Sequence, residues 1–452
     1  MDSRSDTIAA VATAPGRSGV AVVRVSGLDA FAVGERVARR RPEPGRVLFA
    51  RFGKAGGAAT EGSGAEVSDS GLLLAFASPH SYTGEDVVEL QCHGGVAAPR
   101  RVLEACFAAG ARLARRGEFT ERAFLNGKLS YEQAEGVIDL IDAKTDRAAD
   151  AALCELSGDG RGGTDRFRTL YDATLEISTT VEHALDVSED ELPPSFFAEL
   201  DSSLSLLRVS LREARRRLKE RKILREGALV VLAGPPNAGK SSLMNALLGE
   251  NRAIVSSMPG TTRDSIEEWL DVGGWPVRLV DTAGLRESAD AIEAEGVRRS
   301  ETLMEKADVV LMLNSSEPGA LTRGETPKTD APTIHLTSKC DIARGPGLNV
   351  SSVTGEGLDD LRTAISERLS ALADSPSAGD AEASSAAAER RLAALAGAES
   401  AIAPFNGSSA DFDLVLFANA LRDGCEKLGA ICGATYSDDL LDSLFSRFCV
   451  GK

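Results

Sequence analysis

The chain has 452 residues, 43% of them hydrophobic and 26% charged; that length exceeds what one hydrophobic core usually supports, and the composition excludes overall disorder. A formal net charge of -17 repels phosphate backbones and excludes tight, unaided RNA binding over a broad surface. No apolar run reaches the roughly 18 residues of a membrane span, and seven cysteines without a CxxC pair suggest neither a disulfide framework nor a zinc site.

Residues 1–6 are charged and polar and strand-like sequence begins at Thr7, so no signal or transit peptide is expected and the cytoplasm is the expected compartment. From Thr7 to about Leu125, short apolar strands (Gly19–Val25, Gly71–Ala77, Asp86–Leu90) alternate with helical stretches such as Ala97–Ala109, which predicts a compact α/β domain. Gly53–Ser70 is rich in Gly, Ser, Ala and Glu without periodicity and is expected to be a mobile loop. From Ser130 the pattern turns helical, with Ala134, Val137, Ile138 and Ile141 on one face. Four glycines between Ser157 and Gly163 cost about 1 kcal/mol each in a helix and predict a local break. Leu204, Leu207, Leu211, Ala214 and Leu218 follow near-heptad spacing, as in a long bundle helix.

A strand, Leu229–Ala233, then enters a glycine-rich loop, and α/β alternation lasts to about Leu372. The Ala/Ser-rich stretch Asp374–Ala387 reads as a linker, after which helical periodicity continues to the chain end, with Leu441, Leu444, Phe445 and Phe448 on one face. The predicted architecture is multidomain, α/β plus α. It comprises an N-terminal α/β domain (1–128), a discontinuous helical domain (129–226 and, with its linker, 374–452) and an α/β nucleotide domain (227–373) inserted between the helical segments.

Gly234-Pro-Pro-Asn-Ala-Gly239-Lys240-Ser241 fits G-x-x-x-x-G-K-[ST] between a strand and a helical stretch, the context that separates a phosphate-binding loop from a plain glycine turn. Glycines let backbone N–H groups turn toward phosphates, and the following helix adds its positive end. The predicted phosphate-binding set is Asn237, Ala238, Gly239, Lys240, Ser241 and Ser242, with Lys240 bridging the β- and γ-phosphates and the Ser241 hydroxyl on Mg²⁺. Gly260-Thr261-Thr262-Arg263-Asp264 supplies a candidate switch loop that brings Thr262 to the metal. Asp281-Thr282-Ala283-Gly284 follows the strand Val277–Val280, placing a carboxylate near the Mg²⁺ shell and the Gly284 N–H at the γ-phosphate. Ser338-Lys339-Cys340-Asp341 stands where a guanine-reading NKxD belongs; the Asp341 carboxylate can accept from two adjacent guanine donors, a pattern adenine lacks. Ser351 and Ser352 are the expected last contacts to the base. Serine at 338 cannot offer both an amide donor and an amide acceptor, which leaves open whether guanine affinity falls, while specificity is expected to survive through Asp341.

These motifs stand beside Asp6-Thr-Ile-Ala, Ala14-Pro-Gly-Arg-Ser-Gly19, Arg24-Val-Ser-Gly27, Tyr82-Thr-Gly-Glu-Asp-Val-Val-Glu89-Leu, Gly117-Glu-Phe-Thr-Glu-Arg-Ala-Phe-Leu-Asn-Gly-Lys128 and the terminus Phe448-Cys449-Val-Gly-Lys452. With them the chain resembles, over nearly its whole length, the tRNA-modification GTPases called MnmE or TrmE. The resemblance implies a folate-binding N-terminal domain that dimerises, a helical bundle domain and an inserted Ras-like GTPase domain. It implies a homodimer that works with the FAD-dependent partner MnmG (GidA), in a heterotetramer or larger assembly sharing the tRNA. The implied reaction installs an aminomethyl-type (carboxymethylaminomethyl) group at C5 of the wobble uridine, using a one-carbon unit from 5,10-methylene- or 5-formyl-tetrahydrofolate.

Carried onto this sequence, the family's folate site falls on Arg24, Glu89, Lys128 and Lys452. Its potassium site falls on Asn237, Ser256, Met258 and Thr261, where K⁺ would stand in for an arginine finger beside GTP and Mg²⁺. Glu293 matches the glutamate that positions the attacking water, and its other reading is a solvated acid at a helix start. Asn237 has a second reading as a turn former, and Cys449, a candidate for the modification chemistry, could equally be a packed small hydrophobe. Two rival functions are a ribosome-assembly GTPase switch and a degenerate member that binds folate without completing modification; the terminus and folate set favour modification.

Overall fold

The computed structural model describes residues 6–53, 67–157, 164–186, 192–193, 195–250, 267–281, 302–316, 329, 331–374, 386–405, 413–432 and 444–452. By contacts the chain forms two compact units, residues 1–138 with 435–452 and residues 139–434.

The first unit is built on a six-stranded sheet of β1 (Ile8–Val11), β2 (Val20–Ser26), β3 (Val47–Gly53), β4 (Val67–Phe76), β5 (Val87–His93) and β6 (Arg112–Leu113), in the order β3-β4-β5-β2-β1-β6. All neighbours are antiparallel except β1 and β6. Strand alternation sends Val23, Val25, Leu48, Phe52, Leu73 and Leu90 to a face covered by α1 (Ala30–Ala38) and α2 (Ala97–Ala108), which contribute Val33, Val37, Val102 and Ala105. The opposite face carries Arg24 and Glu89 and meets α3 (Glu118–Leu125) through Phe119, which is fully buried beside Ile8 and Ala10.

Two expectations change here. Val67–Ser70 is not loop but the start of β4, paired with Arg51–Gly53 of β3. Its polar residues hid the strand, yet they bond across it: Asp69 accepts from His93 N–H at 2.8 Å. Residues 54–66 of that expected loop lie outside the described residues. Helical periodicity also fails at the chain end, where helix covers only Leu444 and Phe445 of the described residues and Val450 instead forms a β-bridge with Arg116. Leu444, Phe445 and Phe448 are buried as expected, but their spacing serves packing against α3, with the Phe445 ring tilted against that of Phe124 at 6.4 Å between centroids. Residues 435–452 thus group with the N-terminal sheet rather than with the helices before them.

In the second unit, β7 (Ala228–Ala233), β8 (Glu267–Val272), β9 (Trp275–Asp281), β10 (Val309–Ser315), β11 (Thr333–Ser338) and β12 (Leu348–Val350) form a sheet in the order β12-β11-β10-β7-β9-β8. It is parallel except for the edge strand β8. The inner strands read as continuous apolar runs because they are covered on both faces, and every residue of β7 is buried. Leu243 and Leu247 of α8 (Lys240–Glu250) and Leu361, Ile365 and Leu369 of α9 (Leu358–Asp374) pack on that sheet with Trp275.

The helices α4 (Tyr131–Asp142), α5 (Asp146–Ser157), α6 (Thr164–Asp186) and α7 (Phe196–Glu226) precede this sheet in the chain, and α10 (Ala386–Ile402) and α11 (Leu414–Cys432) follow it. Helices from both stretches share one core, in which Ile177, Leu204, Leu211, Leu395, Phe417 and Leu421 meet. Each such fully buried side chain contributes about 1.5–3 kcal/mol. The fold is therefore an N-terminal α/β domain, a helical domain in two segments, and a P-loop domain inserted between those segments. Of the expected α4 face, Ala134 and Ile138 are buried while Ile141 is 47% exposed. The glycine break at 158–163 lies outside the described residues, flanked by the end of α5 and the start of α6.

The β8–β9 hairpin is gripped at its turn. Thr145 Oγ1 donates to Gly274 O at 2.8 Å, the Arg147 guanidinium lies 4.0 Å from the Trp275 ring centroid, and Arg147 pairs with Glu220 of α7 at 2.5 Å.

Candidate functional site

The nucleotide site lies where β7 gives way to α8. Gly234 adopts φ +144°, and a Cβ there would stand 2.4 Å from Leu313 O, so only glycine lets the loop leave β7 this close to β10. Asn237 (φ +63°) and Gly239 (φ +88°) complete the turn; asparagine tolerates this left-handed region better than most side chains, so its turn-forming property is used here. Lys240 is buried, and its Nζ donates to Gly234 O at 3.0 Å and Pro235 O at 2.9 Å, which folds the side chain back over the loop. The Ser241 hydroxyl donates to Asp281 Oδ2 at 2.6 Å, joining the start of α8 to the end of β9. A hydroxyl and a carboxylate in contact are hard oxygen donors of the kind Mg²⁺ takes, so the pair fits that ion. Ser242 is exposed on the first turn of α8, and the Ala238 side chain is buried beneath the loop.

The end of β11 carries the base-reading candidates. Ser338 is buried, and its hydroxyl lies 2.6 Å from Ala238 O and 3.1 Å from Asn314 O, so serine at this position ties the phosphate loop to β10 and β11. Lys339 holds φ +58°, and its carbonyl accepts from Ser316 Oγ at 2.7 Å. Asp341 is exposed, with one carboxylate oxygen fixed by the buried Ser351 hydroxyl at 2.6 Å. Ser351 Oγ in turn accepts from the N–H groups of Val353 and Thr354, and Ser352 is half-buried beside it in sequence. The Ser351–Asp341 bond fixes the orientation of the exposed carboxylate. Asp281, Ser338 and Asp341 thus gather around the C-terminal ends of parallel strands, where open α/β sheets bind ligands. Ser256, Met258, Thr261, Thr262, Thr282, Ala283, Gly284 and Glu293 lie outside the described residues.

The N-terminal unit brings a second set together. Arg24 of β2 and Glu89 of β5 are directly opposed across the antiparallel pair and form an ion pair at 2.9 Å. The Arg24 guanidinium lies 5.6 Å from the Tyr82 ring centroid and 5.7 Å from that of Phe119, a double cation–π contact. Lys128 Nζ donates to Pro79 O at 3.1 Å, and Asn126 Nδ2 to Thr83 O at 2.8 Å, tying the end of α3 to the loop that bears Tyr82. The chain end reaches the start of α3: Phe119 N–H donates to Lys452 O at 3.2 Å and Gly117 N–H to Cys449 O at 3.4 Å. Gly451 passes so near β1 that a Cβ would stand 2.2 Å from Val11 O, at φ +106°. Cys449 itself is exposed, which sets aside its reading as a packed hydrophobe, whereas Cys92, Cys106 and Cys340 are buried.

Tyr82 and Phe119 were not singled out by sequence reasoning, although both stand inside motifs that it quoted. Equally unforeseen is the charge network that seats α3. Glu118, with its side chain 2% exposed, accepts from Arg112 at 2.5 Å and Arg122 at 3.1 Å, and Arg122 also meets Asp6 and Glu85. Burial pushes the Glu118 pKa upward, but the Arg112 hydrogen bond, the Arg115 N–H and Arg122 together hold it below the ordinary carboxylate value. Asp6 is lowered in the same way, burial being outweighed by Arg112 and Arg122. Its members sit at 6, 85, 112, 118 and 122, a scatter that leaves no local signal.

Among the described residues, no helix is long and apolar enough to cross a membrane. Residues 7–128 match the family described as the GTP-binding protein TrmE N-terminus, and residues 132–449 match the MnmE helical domain. The chain is 40% identical over 467 residues to the tRNA modification GTPase MnmE of Nitrosospira multiformis, covering 100% of both chains. It is 40% identical over 466 residues to that of Neisseria gonorrhoeae, covering 100% of both, and 41% identical over 471 residues to that of Symbiobacterium thermophilum, covering 99% of each. Among solved structures, the G domain of the T. maritima FeoB iron transporter is 28% identical over 31% of this chain and 98% of its own, with a TM-score of 0.23.

Proposed function

The chain belongs to the MnmE (TrmE) family of tRNA-modification GTPases, and from that premise we propose that it is a potassium-dependent GTP hydrolase acting in modification of the tRNA wobble uridine. The observation that carries the GTPase reading is the pairing of Ser241 with Asp281 at 2.6 Å at the mouth of a P-loop whose sheet also presents Asp341 held by Ser351. In this reading the loop amides from Asn237 to Ser242 bind phosphate oxygens, and Lys240 turns from Gly234 O and Pro235 O to the β- and γ-phosphates. Asp341 accepts from the two adjacent guanine donors, while Lys339, Ser351 and Ser352 border the base. Ser241 and Thr262 would hold Mg²⁺, and Asn237 with Ser256, Met258 and Thr261 would hold K⁺. When bound, the two ions would supply positive charge that stabilises the negative charge developing on the phosphates. Thr282, Ala283 and Gly284 line the γ-phosphate, and Glu293 orients the attacking water.

The N-terminal residues take the second role. Lys128 and Lys452 hold the anionic end of a tetrahydrofolate, and Glu89 pairs with donors of its pterin ring, with Arg24, packed against Tyr82 and Phe119, holding that carboxylate in place. The folate supplies the one-carbon unit, Cys449 is the candidate thiol, and an FAD-dependent partner completes the reaction on the tRNA. The protein acts as a cytoplasmic homodimer whose parts are 1–128 joined by the chain end 435–452, 129–226 with 374–434, and 227–373.

GTP turnover measured in KCl and in NaCl at equal ionic strength tests the potassium mechanism: faster turnover in KCl is expected, and equal rates would remove it. Deleting Cys449–Lys452 separates the two roles. GTP hydrolysis should persist while the modified wobble nucleoside disappears from tRNA digests, and its persistence would contradict the role of the chain end.

A further inference from the structure

The negative charge of this protein is unevenly spread, and one stretch opposes it. Residues 36–51 carry six arginines (Arg36, Arg39, Arg40, Arg41, Arg46 and Arg51) and one acid, Glu43, a formal +5 in 16 residues of a chain at -17. All six arginines are exposed. They run from the last turn of α1, through the turn that follows it, onto the edge strand β3. Arg40 reaches across that turn to donate to Phe49 O at 3.1 Å, so turn and strand form one surface. Arg36 donates to Ala109 O at 2.8 Å, and Arg46 pairs with Glu43 at 2.8 Å. Among the described residues, no carboxylate lies within ion-pair distance of Arg39, Arg41 or Arg51. On the same strand, Val47 and Phe49 are each 62% exposed and alternate with Arg51, setting an aromatic ring among guanidinium groups.

Local stability explains only part of this. A cation in the last helical turn favours the helix dipole, which accounts for Arg36. A charge on an edge strand blocks unwanted pairing, which accounts for Arg51. Neither effect calls for Arg39, Arg40 and Arg41 in succession. Guanidinium groups stay charged and match phosphate oxygens bidentately, and an exposed ring among them offers a stacking platform for an unpaired base.

We propose that the surface of residues 36–51 is where this protein docks the phosphate backbone of tRNA. The proposal rests on the tRNA-modification reading and gives that substrate a place on this chain. It also answers the charge problem: with the rest of the chain strongly negative, RNA contact is confined to a local patch.

The test is a titration of labelled tRNA with the full-length protein between 50 and 200 mM KCl, comparing wild type with the triple variant Arg39→Gln, Arg41→Gln, Arg51→Gln. Each lost phosphate contact flattens the plot of log affinity against log salt by about 0.7–0.9, so the triple variant should flatten it by about 2–3. Over this fourfold salt range its affinity should then fall roughly 20- to 40-fold less than that of wild type. The matching triple lysine variant keeps the charges and should keep the wild-type slope, and GTP turnover should be unchanged in both. An unaltered slope in the glutamine variant, equal loss in the lysine variant, or no tRNA binding by wild type would overturn the proposal. Should the glutamine triple fail to fold, Arg41→Gln alone should flatten the slope by about one contact, and no change there would overturn it too. Wobble modification scored in cells carrying the wild-type gene keeps the two readings apart, since its absence sinks the functional reading and its presence with an unaltered slope sinks only the docking surface.

Discussion

Replacing Ser351 by alanine tests the base-reading end of the nucleotide site most sharply. Its hydroxyl, fully buried, donates to Asp341 Oδ1 at 2.6 Å, while its oxygen accepts from two backbone N–H groups. A hydrogen bond to a charged group contributes about 1.5–3 kcal/mol, and most of that is orientation that the carboxylate would lose. Guanine nucleotide affinity should therefore fall by about ten- to a hundredfold. Inosine diphosphate lacks the exocyclic amino group and would make only one of the two contacts proposed for Asp341, so it should lose less. Titrating wild type and Ser351→Ala with both diphosphates measures the ratio directly, and Ser351→Thr, which keeps the hydroxyl, should restore it. Equal losses for the two nucleotides, or no loss of GDP affinity, would refute the reasoning by showing that Ser351 only supports the loop.

Gly451→Ala should dislodge the chain end, because its Cβ would meet Val11 O at 2.2 Å in a backbone conformation that alanine resists. Faster hydrogen exchange at Gly117 and Phe119 is the readout, with GTP turnover unchanged; unaltered protection would contradict the packing described. Glu118 and Asp6 titrate below their unfolded values, so the stability they contribute is complete only above those unfolded values, from about pH 5 upward, and is lost as pH falls through the depressed folded values. Exchange protection of α3 should accordingly fall on acidification from pH 5 to 3, and a flat profile would argue against it. Glu118→Gln leaves Arg112 and Arg122 short of a buried partner and should cost about 3–5 kcal/mol at neutral pH, measured as the loss of α3 protection.

The conformation of the phosphate loop was legible because its geometry is local. Strand, glycine turn and helix follow one another within about twenty residues, and the positive φ values of Asn237 and Gly239 fall where the motif requires them. Long-range geometry left weaker traces. Arg24 and Glu89 came from family likeness; their cross-strand register, and the two rings beneath Arg24, exist only once the sheet is built. Apolar spacing at the chain end predicted burial correctly at Leu444, Phe445 and Phe448 but helix wrongly beyond Phe445, since a buried stripe records which residues face a neighbour and not whether the backbone coils between them. In β4 the reverse held, because a strand whose polar residues are satisfied by a neighbouring strand gives no apolar alternation to read.

One consequence follows from how β9 is fastened at both ends. Its first residue, Trp275, is held under Arg147, and its last, Asp281, holds the Ser241 hydroxyl, with about 20 Å of strand between them. Paired on both sides by β7 and β8, that strand cannot buckle. The Ser241–Asp281 contact and the Arg147–Glu220 pair on the long helix are thus the two ends of a single, doubly braced rod.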